Sequence, residues 1–266
     1  MTDIDSIDRK NYKILKKLNS HKCSCVHLVN DQFDQKFILK SFKKESKGSF
    51  IYDENKRRYL PLELFYMNKL SNKVYIPNLL NYNDGYRWST IVMEFLDNEW
   101  IDLYYFSIEH NDEATMKTVI KNLINICYDM AEDGFYHRDI KPENVMVNKS
   151  TLEVKIFDLE DTYFDKSPEP MSMTTAGTVG FKSPESYLKK LTKLKPSIVF
   201  SIGCVAYSCI ELQNTYTNIK DNVECYPLFF QKSSTSGASF ITGCTKKDSK
   251  KRISFHDLLK HEWLSS

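Results

Sequence analysis

The order of apolar and polar residues changes character along this chain. Between residues 13 and 40, apolar positions fall in short alternating runs: Ile14 and Leu18, then Val26-His-Leu-Val29, then Phe37-Ile-Leu-Lys40. That pattern predicts strands with one buried face. Residues 61–70 switch to near-helical spacing, with Leu62, Phe65, Met67 and Leu70 apolar. The charged stretch before them, 41–59, reads as a loop insertion. Asn83-Asp-Gly85 is a turn signal leading into an apolar strand, Trp88–Leu96. From about Glu113 helices take over. Met116, Val119, Ile120, Leu123, Ile126 and Met130 form one apolar stripe over 114–132. Strands follow at Val145–Val147 and Val154–Phe157, and the remainder is mostly helical up to Leu258–Leu264. The longest apolar run, Ile198 to Leu212, is interrupted by Ser201, Ser208 and Glu211. It reads as a buried helix, too short and too polar to span a bilayer. The polar stretch Gln231–Gly237 reads as a loop. The fold class expected is α+β with two unequal lobes in a single domain, 1–266. A small β-rich N-lobe with one main helix covers about 13–96, and a larger, mostly helical C-lobe covers about 97–264.

Composition narrows the function classes. The chain has 266 residues, 41% of them apolar, with 16 Phe and 16 Tyr, so a sizeable core is available. Net charge is only +2, which argues against direct nucleic-acid binding. The seven cysteines form no C-x-x-C pair and their number is odd. Reduced thiols fit better than a disulfide framework or a zinc site. The start, MTDIDSIDRK, is polar and acidic and is no signal peptide. The expected setting is the cytoplasm or nucleus, without membrane association.

The strongest chemical signal is His137-Arg-Asp-Ile-Lys-Pro-Glu-Asn144. Phosphoryl transfer needs a carboxylate to orient the attacking hydroxyl, a cation near the moving phosphate and an oxygen ligand for a metal. Asp139, Lys141 and Asn144 supply these from one loop. Asp158 follows at the end of the strand Val154–Phe157. A carboxylate there suits Mg²⁺, which takes hard oxygen ligands.

With these residues the chain resembles the eukaryotic protein kinase family, whose catalytic loop H-R-D-x-K-x-x-N is matched in full by residues 137–144. The resemblance spans 13–264 and implies a bilobal kinase-like fold with ATP and Mg²⁺ as cofactors, Mn²⁺ being an alternative metal. It casts Lys40 as the lysine on the α- and β-phosphates and Glu63 as its partner, with Glu54 a rival. It assigns Leu18, Val26, Ile38, Glu94, Leu96 and Met146 to the ATP site, with Met93 as gatekeeper, and Asn144 and Asp158 to the metal. Gly177–Glu185 resembles the substrate-docking loop, and Arg252 the buried arginine that pairs with Glu185. Lys141 with Thr178 implies serine/threonine specificity toward protein substrates. The acidic run Asp158, Glu160, Asp161, Asp165 and Glu169 hints at basic ones, although a solvated loop explains it equally well. Arg138 resembles the arginine that meets an activation-loop phosphate, with Ser167, Ser172, Thr174 and Thr175 as acceptors. The shortened region 212–245 resembles compact kinases of large DNA viruses or reduced parasites.

Four features depart from the family pattern. The three glycines of the phosphate loop are replaced by Asn19, His21 and Ser24. Ile38 stands for the alanine that faces adenine. D-F-G reads Asp158-Leu159-Glu160, where Glu160 either points to solvent or adds a metal ligand. Ile198 replaces an aspartate that holds the catalytic-loop backbone. The alternative to an enzyme is a pseudokinase, a kinase fold serving as a binding scaffold. A small-molecule kinase fits less well, given the docking loop and Arg252.

Overall fold

The computed structural model describes residues 11–20, 24–44, 50–54, 57–84, 87–173, 176–188, 191–213 and 228–265. His21, Cys23, Gly85, Thr174, Thr175 and Cys225 lie outside them. The chain divides into two compact units: Met1–Asp97 with Asp158–Glu160, and Asn98–Phe157 with Asp161–Ser266.

The first unit is built on β1 (Lys13–Ser20), β2 (Ser24–Asn30), β3 (Lys36–Lys43), β4 (Phe50–Asp53), β5 (Arg58–Pro61), α1 (Leu62–Lys69), β6 (Leu79–Asp84) and β7 (Trp88–Glu94). Five strands make an antiparallel sheet in the order β1-β2-β3-β7-β6. Register sorts the side chains into two faces, because directly opposed residues share a face. Val26, Lys40 and Ile91 stand in one row, with Leu28, Ile38 and Met93 in the next row on that face. The other face carries Val29, Leu39 and Val92, a fully buried cluster against which Tyr12 and Phe37 pack. The register of β1 slips at Leu15 and at Leu18, each the extra residue of a bulge opposite β2.

The stretch 41–59 is not a plain loop. β3 extends to Lys43, and β4 pairs with β5 in an antiparallel hairpin from Phe50↔Pro61 to Asp53↔Arg58. Tyr52 and Tyr59 meet edge to face, with ring centroids 5.3 Å apart. The charged residues hid an aromatic cross-strand pair. The hairpin runs straight into α1, whose N-cap position is Pro61. Proline cannot donate there and loses nothing at a helix start.

The second unit contains β8 (Trp100–Asp102), α2 (Leu103–Glu109), α3 (Glu113–Glu132), β9 (Phe135–Tyr136), β10 (Val145–Asn148), β11 (Val154–Ile156), β12 (Tyr163–Phe164), β13 (Met171–Ser172), β14 (Thr192–Lys193), α4 (Leu194–Glu211), α5 (Thr235–Cys244) and α6 (Glu262–Ser265). The stripe on α3 is buried as its spacing predicts, and the Asp112 carboxylate caps it by accepting the Thr115 N–H. α4 is buried nearly all round, as expected for the core of a large unit. Its length and composition would suffice to cross a bilayer, but 78% of it is buried inside the protein. α5 packs so closely on α4 that a Cβ at Gly203 would lie 2.5 Å from the Cβ of Cys244. α5 begins at Thr235, inside the stretch read as a loop. The Ser234 hydroxyl accepts the Gly237 N–H, so the small polar residues there cap and open a helix. The Glu211 carboxylate ties the end of α4 to the chain ahead of α5 by accepting the amides of Gln231, Lys232 and Ser233. The five described cysteines, Cys25, Cys127, Cys204, Cys209 and Cys244, are free thiols. Burial pushes Cys127 and Cys209 up to about 12, so both are inert packing groups.

Candidate active site

The first unit contributes a buried cation between two carboxylates. Lys40 reaches Glu63 Oε2 at 2.5 Å and Asp158 Oδ1 at 3.0 Å. β3 points Lys40 off the sheet on the same face as Val26 and Ile38, and the first turn of α1 supplies Glu63. An acid at a helix N-terminus is favoured by the helix dipole. Burial works to lower the Lys40 pKa, but the two carboxylates outweigh it and hold it above the ordinary lysine value. Burial pushes Glu63 up to about 7 against the pull of Lys40, and the Asp158 and Glu160 charges add to the rise. Asp158 stays accessible, its side chain 41% exposed, and its second carboxylate oxygen is not the one bound to Lys40. Its φ of +61° is left-handed, a region that aspartate enters more readily than most residues.

The second unit contributes the catalytic loop. His137 is buried, and its Nε2 lies 2.8 Å from the Phe157 carbonyl. The Asp139 N–H donates to His137 Nδ1, which ties the loop to that buried ring. Asn144 closes the other end. Its amide nitrogen donates to the Asp139 carbonyl at 2.9 Å and to Asp139 Oδ2 at 3.1 Å. The amide oxygen of Asn144 is then the end left to act as a hard ligand. Lys141 Nζ lies 3.0 Å from Asp139 Oδ2 and donates to Thr178 Oγ1 at 2.8 Å. The Thr178 N–H donates to Asp139 Oδ1 at 2.7 Å. One buried carboxylate therefore gathers Lys141, Asn144 and the docking loop around itself.

Sequence reading missed the part played by Asp161. Its carboxylate accepts the Gly177 N–H at 3.3 Å, and its carbonyl accepts Arg138 Nε at 2.6 Å. Arg138 also donates to the Ser172 hydroxyl at 2.9 Å and lies 5.1 Å from the centre of the Tyr163 ring. Ser172 is buried, so of the loop hydroxyls read as phosphate acceptors this one already serves as a structural partner of Arg138. Ser167 lies in an exposed turn held by the Asp165 carboxylate. Ile198 is buried and lines a cavity of about 30 Å³ with Arg138, Ile140 and the hydroxyl residues Ser172, Ser197 and Ser201. An isoleucine cannot bond the loop backbone. His137 and Asn144 bond that backbone here, and the Asp161 carbonyl receives the Arg138 side chain.

The other positions singled out are distributed as follows. Leu18 is exposed in its bulge on β1, and Val26 and Ile38 face the Lys40 side of the sheet. Met93 is buried opposite Ile38. The Glu94 N–H bonds the Asn78 carbonyl, its carboxylate accepts Asn78 Nδ2, and Leu96 follows half-buried. Met146 sits on β10 between Lys155 and Asp102. Arg252 grips Glu185 with two parallel bonds of 2.6 and 2.7 Å. Glu54 has no described contact with Lys40, and Glu63 takes the role for which both were weighed.

The model of the protein kinase domain matches residues 12–264. The chain belongs to the protein kinase family. Serine/threonine-protein kinase 1 of African swine fever virus is 26% identical over 202 residues, covering 76% of this chain and 67% of the viral protein. A probable serine/threonine-protein kinase of Dictyostelium discoideum is 22% identical over 260 residues, 83% of this chain and 37% of that one. Among solved structures, the granulovirus kinase PK-1 of Cydia pomonella shares the fold with a TM-score of 0.76 at 21% identity, covering 96% and 94% of the two chains. The kinase relatives thus include proteins of large DNA viruses, and the α+β architecture is the kinase one.

Proposed function

We propose that this kinase transfers the terminal phosphoryl group of ATP to serine or threonine hydroxyls of protein substrates. The observation that carries the reading is the second unit's cluster, in which Asp139, Lys141, Asn144 and Thr178 are bonded to one another with no member missing. In this reading Asp139 accepts the substrate hydroxyl proton and orients the attacking oxygen. Lys141 follows the charge that develops on the transferring group, and Thr178 fixes where that ammonium points. Lys40, steadied by Glu63, holds the α- and β-phosphates. Magnesium, with Mn²⁺ as a substitute, would be held by Asp158 and the amide oxygen of Asn144 and would neutralise phosphate charge. The donors suit it chemically, since both are hard oxygens. The free thiols support a reducing compartment such as cytoplasm or nucleus.

A scaffold reading rests on a different observation: no glycine occurs between Asn19 and Ser24. A backbone without glycine approaches phosphates less easily. One experiment separates the two readings. Thermal unfolding is followed with ATP, with and without magnesium, and phosphate incorporation into protein is measured beside Asp139→Asn. Stabilisation by the magnesium nucleotide together with incorporation lost in Asp139→Asn supports the enzyme. Incorporation that survives Asp139→Asn, or a protein unmoved by nucleotide, refutes it.

A further inference from the structure

Apart from the catalytic residues, the second unit has a groove of about 460 Å³. Its walls are the C-terminal end of α3, residues 168–170, the start of α4 and the turn 249–256. One buried side chain organises the cationic wall. Arg252 donates to the carbonyls of Lys246, Lys247 and Pro196. It thereby winds the turn Lys246-Lys-Asp-Ser-Lys-Lys251 around itself and fastens it to the first turn of α4. Lys246, Lys247, Lys250 and Lys251 are all exposed on that turn. Its one acid, Asp248, caps it by accepting the Lys250 N–H. Lys195, half-buried, adds a cation from α4. Among the described residues, none of these five lysines has an ion-pair partner. Lys195 and Lys250 line the groove itself, whereas Lys193 beside them is already paired with Glu169 at 2.7 Å. The whole chain carries only +2, so this is a local excess of positive charge. The rest of the lining is largely apolar. The Tyr128 hydroxyl donates to the Phe255 carbonyl, and the two rings meet edge to face with centroids 4.7 Å apart. Pro168, Pro170 and Pro196 complete it.

We propose that this groove docks an extended acidic segment of a partner protein, one in which carboxylates alternate with apolar side chains. The carboxylates meet Lys195 and Lys250, and the apolar residues between them lie against Tyr128, Phe255 and the prolines. Charge complementarity sets the sign of the partner, and the apolar lining supplies a desolvated anchor. A peptide suits the site better than the other polyanions. The groove is concave and of a size that encloses side chains, which a bilayer surface does not offer. Glu132 and Glu169 also line it, and they would repel the dense phosphates of a nucleic acid. The inference rests on the groove alone and not on the kinase reading.

The test is fluorescence polarisation with three labelled pools of short peptides. In the first, Asp or Glu alternates with Leu, Ile or Phe. The second has Lys for the acids, and the third has Ser for the apolar residues. Vesicles of phosphatidylserine with phosphatidylcholine and a single-stranded oligonucleotide are measured alongside. Wild type should bind the first pool at least about tenfold more tightly than the other two. Reversing charge with Lys195→Glu and Lys250→Glu together should weaken that binding about tenfold, since attraction is replaced by repulsion at two points. Lys13→Glu with Lys16→Glu, both exposed on β1, alters the net charge equally but not the groove. It should leave affinity within about twofold. Thermal unfolding checks that each variant is folded. Should the double reversal not fold, Lys250→Glu alone, on the exposed turn, carries the same comparison. No preference for the first pool, equal weakening in both double variants, or tighter lysine-dependent binding of vesicles or oligonucleotide than of peptide overturns the proposal. Peptide binding without phosphorylation of any protein would leave this inference standing and remove the kinase reading.

Discussion

Replacing Glu185 by Gln removes one charge from a pair that has little water around it. The Arg252 side chain is 0% exposed and that of Glu185 is 24% exposed. Arg252 would keep its bonds to the carbonyls of Lys246, Pro196 and Lys247 and its place 4.8 Å from the centre of the Phe200 ring. It would lose the only anion among these contacts. Leaving a buried charge unpaired costs about 3–5 kcal/mol when both partners are fully enclosed. The exposure of Glu185 and the three surviving carbonyl bonds move this case to about 2–3 kcal/mol. For a chain of this size that corresponds to about 4–12 °C in unfolding temperature. Burial works against ionisation of Glu185, but Arg252 outweighs it and lowers its pKa below the ordinary 4.5. A depressed acid contributes stability that is present above the unfolded value and is lost as pH falls through the folded one. The deficit of Glu185→Gln should therefore be largest at neutral pH and shrink in acid. Calorimetry of both proteins at pH 7 and near pH 4 measures it. A neutral-pH deficit under about 0.5 kcal/mol, or one that grows on acidification, refutes the account. The double change Glu185→Leu with Arg252→Met should recover much of the loss, because apolar pairs replace buried ion pairs at little cost.

Other changes reach the chemistry. Asp139→Asn should lower phosphoryl transfer by about 10²–10⁴-fold while nucleotide-induced stabilisation survives, which steady-state kinetics and thermal shift measure together. Thr178→Val removes the hydroxyl that receives Lys141 but keeps the amide on Asp139. It should reduce kcat about tenfold, Thr178→Ser should restore it, and equal rates for all three would sink the proposed role. With Glu63 pushed up to about 7, lowering the pH from 8 to 6 protonates it and releases Lys40 from one of its two anions. Nucleotide affinity of the wild type should fall over that range, while Glu63→Gln should be weaker and flat. A wild type that is flat, or a variant that keeps the step, contradicts this.

The legible parts of the sequence were those where one short stretch carries several functional residue types. His137 to Asn144 has that property, and the contacts described for Asp139 are local or reach the equally recognisable Thr178. The β4–β5 hairpin was hidden because its aromatic pair lies among lysines and arginines, so the binary pattern carried little signal. The start of α5 was hidden because Ser234, Thr235, Ser236 and Gly237 are turn formers. Only the capping hydroxyl and the packing on α4 make them helical. Arg138 was legible as an anion-seeking residue, yet its described partners are a carbonyl, a hydroxyl and a ring from its own unit.

The departures from the family pattern are less costly than their residue types suggest. Glycine after D-F is useful where the backbone must take a positive φ. Here the left-handed residue is Asp158 itself, and Glu160 does not share that conformation. Glu160 follows Leu159, which is buried, in a short 3₁₀ turn from Leu159 to Asp161, a conformation open to any residue. It is half-exposed and adds negative charge beside Glu63, so its effect is electrostatic. The loss of the phosphate-loop glycines is likewise bounded. Asn19 pairs with Val26 and Ser20 with Cys25, so the strands continue through positions where glycine would break them. The bulges at Leu15 and Leu18 bend β1 without a glycine. In the proposed reading, what these substitutions change is the fit around the phosphates of ATP and the field at Glu63. The bonded set around Asp139 lies in the other unit and keeps every member.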